Sequence, residues 1–66
     1  MYVLKLYNSE ELTDMKIAGS ISALVGWALW NIGYGIESYI YNEDITYIKQ
    51  NGKEIGIIAK VEVIND

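Results

Sequence analysis

Few side chains in this sequence could carry out catalysis. The chain has no histidine and no cysteine, so the commonest general base and the thiol nucleophile are both missing. The hydroxyl nearest to a candidate base is that of Ser20, which lies four residues after Lys16. Because a serine within a helix usually bonds back to the preceding turn, we expect no nucleophile there.

Six of the nine acidic side chains form two clusters. The first spans residues 10–14 and the second spans residues 37–44. Acids at the start of a helix interact favourably with its dipole, and acids at a turn are normally solvated. The sequence therefore predicts no catalytic site, no metal site and no cofactor.

Composition and charge limit the partners. The net charge is −4, and the five basic residues are all lysines. Nucleic-acid binders usually present a basic stripe, in which arginine contacts phosphates and guanine edges. We therefore expect no direct binding of DNA or RNA. The absence of cysteine and of an apolar leader favours the cytoplasm.

The hydrophobic pattern predicts a single α+β domain over residues 1–66, with the order β-α-β-β-β. Strands are expected at 1–7, 36–41, 45–50 and 53–64. One long helix is expected from Ser9 to about Ile32, capped by Asn8 with Glu11 three residues on, and stopped by the glycines of residues 33–35. The helix would pack across a small antiparallel sheet.

The Asn51-Gly52 pair predicts a two-residue hairpin turn, which sets the register of the last two strands. An uninterrupted ladder would place one set of side chains against the helix: Ile48, Ile55, Ile57, Ala59, Val61 and Val63. The opposite face would carry a small apolar island of Ile45, Tyr47 and Ile58. The charged pairs Lys49–Glu54 and Lys60–Glu62 would border it. We expect this island to bind a partner.

The central segment is unusually apolar, because the 20 residues from Ile17 to Ile36 contain no charge. On one long helix, an aliphatic stripe would cover the sheet and a second stripe of small and aromatic residues would remain exposed. Such a surface favours a helix-mediated homodimer. The predicted self-association residues are Gly19, Ser22, Ala23, Gly26, Trp27, Trp30 and Gly33.

Together these features predict a small non-enzymatic interaction protein that binds and modulates or inhibits another macromolecule. Small acidic proteins of this style often come from phages or mobile elements and act on host or defence proteins. Two alternatives remain open. A helix near 17–36 is long enough to span a membrane, and Trp27, Trp30 and Tyr34 could line a small-molecule cleft at a dimer seam.

Overall fold

A computed structural model describes residues 1–62 of the chain. The fold is α+β, with one helix and one sheet of five antiparallel strands in the order β2-β1-β5-β4-β3. The elements are β1 (Tyr2–Asn8), β2 (Glu11–Ala18), α1 (Ile21–Ile32), β3 (Ile36–Ile40), β4 (Ile45–Gln50) and β5 (Lys53–Lys60). The α+β class is confirmed, but the order is β-β-α-β-β-β.

The predicted long helix is wrong over its first half, which forms β2. Asn8 does not cap a helix; it pairs with Glu11 across a tight turn in which Ser9 has a positive φ of 59°. From there β2 runs antiparallel to β1 and becomes an edge of the sheet. The physical reason is a period of two: Thr13, Met15 and Ile17 alternate with polar residues, and two of the three are β-branched.

The helix α1 begins and ends at specific capping residues. The Ser20 hydroxyl accepts a hydrogen bond from the Ala23 backbone N–H at 3.2 Å, as an N-cap does. Gly33 ends the helix with a φ of 105°, which confirms the predicted glycine stop. The helix therefore has 12 residues.

The Asn51-Gly52 turn is confirmed, with φ of 52° and 83° at its two positions. The Lys49–Glu54 pair also forms, but the register then shifts between Ile48 and Lys49, so that Ile48 pairs with Gly56 rather than with Ile55. This bulge inserts Ile55 as an extra residue in β5. Every later residue of β5 therefore points to the side of the sheet opposite to the one predicted from an uninterrupted ladder.

The predicted faces of β5 are wrong beyond Ile55 for that reason, whereas Ile55 packs against the core as predicted. Ile58 lies in the core with no exposed surface, whereas Ile57 and Ala59 lie on the other side of the sheet. Val61 follows the end of β5, and its N–H donates to the Met1 carbonyl. Val63 and the predicted strand end at Ile64 lie outside the described residues.

The core lies between α1 and one face of the sheet. Its five buried side chains come from the helix, from β1 and from the last two strands: Leu4, Leu6, Leu24, Ile48 and Ile58. Since the strands alternate, Val3, Ile57 and Tyr47 point away from this core. The sheet thus has a helix side and an opposite side, which we call the open face.

Candidate interaction surface

The open face carries two rows of side chains, of which the first crosses four strands and the second crosses all five. The pairing registers place Ile17 beside Val3, Val3 beside Ala59, and Ala59 beside Ile45. The second row lies two residues away from the first along each strand, and it consists of Met15, Lys5, Ile57, Tyr47 and Tyr39. No other described element packs on this side, so the rows form a largely apolar surface, in which Val3 is mostly buried by its neighbours and Lys5 interrupts the second row.

Tyrosines gather at the β3–β4 end of the open face. The rings of Tyr41 and Tyr47 meet edge to face, with their centroids 5.8 Å apart. The Lys49 ammonium lies 4.7 Å from the centroid of the Tyr39 ring, within the range of a cation–π contact. These contacts hold the large, rigid tyrosine rings in defined positions, an arrangement that would lower the entropy cost of any binding at this surface.

Glu37 fixes the position of the Tyr39 hydroxyl. The phenol donates a short hydrogen bond to the Glu37 carboxylate. That hydrogen bond, together with the negative charge of Glu37, raises the pKa of Tyr39 above its ordinary value.

The structure divides the predicted partner-binding island. Ile45 and Tyr47 both lie on the open face and are half-buried. Ile58 pairs with Leu4 beneath α1 and is 0% exposed, so it cannot contact a partner. Its predicted place is taken by Ile57 and Ala59, because the bulge shifts the ladder by one residue.

The predicted self-association residues do not form one helical stripe. Gly19 precedes the helix, and Gly33 ends it. Trp27 packs against the core, with the Lys16 ammonium 5.3 Å from its ring centroid. The remaining four lie on the side of α1 away from the core: Ser22, Ala23, Gly26 and Trp30. Trp30 is 90% exposed, and a Cβ built on Gly26 would meet no atom within 4 Å.

Sequence reasoning missed the contribution of β2 to the open face. Met15 and Ile17 are both about half exposed there, and both fall in the segment that was predicted to be helical. The signal that could have found them is the alternation of residues 12–18, together with the two-residue spacing of Ser9 and Glu10 between two strands.

Among residues 1–62, no three acidic, histidine or cysteine side chains are grouped so as to hold a metal ion. Within the same range, no helix is both long and apolar enough to cross a membrane. The spanning-helix alternative required about 20 helical residues, whereas α1 has 12.

Trp27, Trp30 and Tyr34 do not enclose a cleft in the single chain. Trp27 is half-buried at the core, and the other two side chains are almost fully exposed. Comparison of the chain with protein-family models, with curated proteins and with solved structures found no significant match.

Proposed function

We propose that this protein is a non-enzymatic interaction protein that binds another macromolecule, a protein, through the open face of its sheet. The observation that carries the proposal is the pair of apolar rows on that face, which end in Tyr39, Tyr41 and Tyr47. Proteins rarely expose a contiguous apolar surface of this kind unless it contacts a partner or a ligand.

The layout of the open face resembles that of a binding interface. Its centre is apolar, around Ile57 and Ile45, and its border carries Lys49, Glu37 and Glu54. Interfaces commonly place apolar and tyrosine side chains at the centre and polar ones at the rim. Charges at the rim favour one partner over others by steering and by repulsion.

The proposal includes the mode of action and the compartment. We expect the protein to inhibit its partner stoichiometrically by covering a surface, and to act in the cytoplasm, which a chain without cysteine suits. Action on a host or defence protein, as phage-encoded inhibitors do, is the setting we favour. We also propose that the protein self-associates through the helix side, so that both open faces remain available.

The test compares two tyrosine-to-alanine variants. Tyr47→Ala removes a ring from the centre of the open face, whereas Tyr34→Ala removes a 97% exposed ring from the loop after α1. With a purified partner obtained by capture and cross-linking, Tyr47→Ala should weaken binding by about 1–3 kcal/mol, or roughly 5- to 150-fold. Tyr34→Ala should bind as the wild type does.

Two outcomes would reject the proposal. One is equal binding by Tyr47→Ala and the wild type, with both folded by circular dichroism. The other is inhibition that reaches completion at far less than one protein per partner, since that result requires turnover.

A further inference from the structure

The helix side of the sheet is only partly covered. The 12-residue helix contacts both edge strands, β2 and β3, so it crosses the sheet and leaves parts of the strands on either side of it uncovered. Beside α1, over β3 and β4, lies a groove of about 490 Å³. The floor of the groove consists of Ser38, Ile40 and Thr46, and its wall consists of five residues of α1: Ile21, Ser22, Val25, Gly26 and Leu29.

Two residues of the groove floor have unfavourable surroundings in the single chain. The Thr46 hydroxyl on its floor is buried, at 1% residue exposure, and has no hydrogen-bond partner among the described residues. A buried hydroxyl without a partner costs about 1–3 kcal/mol. In addition, Ile40 is 81% exposed at the outer end of the floor.

We propose that the protein forms a two-fold symmetric dimer in which α1 of each copy fills the groove of the other copy. The two helices would then lie side by side between two sheets. Each helix would cover its own core with one side and the groove floor of its partner with the other. This inference deepens the self-association in the proposed function and identifies the surface that makes it.

Charge favours a second copy over a different protein. Each chain has a net charge of −4, so two copies repel unless they meet where charges are absent. The groove has no charged lining residue, and it borders the uncharged segment from Ile17 to Ile36. The open face does not meet that condition, since Lys5, Lys49 and Glu37 lie on it.

Size and chemistry agree with the same occupant. The outer side of α1 carries Ser22, Ala23 and Gly26, whose small side chains allow a close approach. Trp30 would become buried and would contribute about 200 Å² per copy.

The experiment uses two charge-matched variants. Ile40→Glu places a carboxylate on the groove floor, and Ile17→Glu places one on the open face at a position that is 59% exposed. By size exclusion with light scattering over a concentration series, the wild type and Ile17→Glu should reach twice the chain mass of 7.5 kDa. Ile40→Glu should remain at the chain mass, with an unchanged circular dichroism spectrum.

Tryptophan emission gives a second measurement that does not depend on a disruptive variant. Trp27→Phe leaves Trp30 as the single tryptophan. Its emission should move to shorter wavelength, and its quenching by iodide should fall, as the concentration rises through the dimer transition. Without such changes, Trp30 is not at the contact and the inference is wrong.

Other results would also overturn the inference. A wild type that is monomeric at every concentration excludes a second copy, and burial of Trp30 only on addition of the captured partner would assign the groove to that partner. If Ile17→Glu disrupts the dimer and Ile40→Glu leaves it intact, the dimer interface lies on the open face instead. The proposed function is tested separately, because folded, monomeric Ile40→Glu should still bind the partner through Tyr47.

Discussion

Gly56 lies where the sheet leaves no space for a side chain, and replacing it with alanine should destabilise the fold. An ideal Cβ at this position would be 2.7 Å from the Lys5 carbonyl oxygen and 2.8 Å from a methyl group of Leu6. Leu6 pairs with Gly56 between β1 and β5, in the middle of the sheet. The methyl of Leu6 can turn aside, but the carbonyl oxygen moves only if the two strands separate locally.

We expect Gly56→Ala to lower the free energy of unfolding by about 1–3 kcal/mol, the usual cost of inserting a methyl group into a packed core. For a domain of this size, each kcal/mol corresponds to about 4–8 °C in melting temperature. The matched control is Gly26→Ala, where a Cβ meets no atom within 4 Å. The control should gain about 0.8–1 kcal/mol, because alanine has the higher helix propensity.

Urea denaturation followed by circular dichroism measures both changes. Both substitutions are compared in the Ile40→Glu background, so that self-association does not contribute. The transition midpoint should fall for Gly56→Ala and rise for Gly26→Ala, with the slope unchanged in both. If Gly56→Ala is as stable as its parent, the close approach of β1 and β5 is incorrect and so is the register built on it.

Three further changes test the core, the groove floor and the tyrosine cluster. In the Ile40→Glu background, Leu24→Ala removes a large buried side chain of the helix from the core and should cost about 2–5 kcal/mol in urea unfolding, whereas Leu29→Ala, at a half-exposed position, should cost clearly less. Thr46→Val, in the Ile40→Glu background, should raise the free energy of unfolding by about 1 kcal/mol or more, because it removes a buried hydroxyl that lacks a hydrogen-bond partner. A loss of stability would mean that the hydroxyl does form a hydrogen bond. Glu37→Gln should lower the pKa of Tyr39 towards its ordinary value, which a titration followed by ultraviolet absorbance measures. Because the folded-state pKa is raised, the contact between Glu37 and neutral Tyr39 stabilises the fold below the ordinary tyrosine pKa. This contribution disappears as the pH rises through the folded-state pKa.

Local signals in the sequence predicted the local features of the fold. Asn51 and Gly52 identify a turn that needs positive φ at both positions, and Gly33 marks the end of the helix. Each signal depends on one or two residues whose backbone preferences are strong. The α+β class followed from the same signals, because they separate a helical segment from a hairpin.

The errors came from features that depend on long-range pairing. Residues 11–18 can form either a helix or a strand, and pairing with β1 decides for the strand. The bulge at Ile48 and Lys49 has no mark in the sequence that propensity would detect, yet it determines which residues of β5 are exposed. Ile58 was placed on the wrong face for this reason, while Ile45 and Tyr47, which belong to β4, were placed correctly.

The long uncharged segment also has a different physical meaning from the one its length suggests. It ends one strand, forms one short helix and begins another strand, so neither one long amphipathic helix nor a membrane span accounts for its composition. A 12-residue helix that contacted only its own core would be free to carry charges on its outer side. In this chain the outer side carries none, and the proposed dimer supplies the reason: that side contacts the partner's sheet. Charge then distinguishes the two surfaces, since an uncharged seam suits an identical acidic copy and a charged rim suits selection of a different protein.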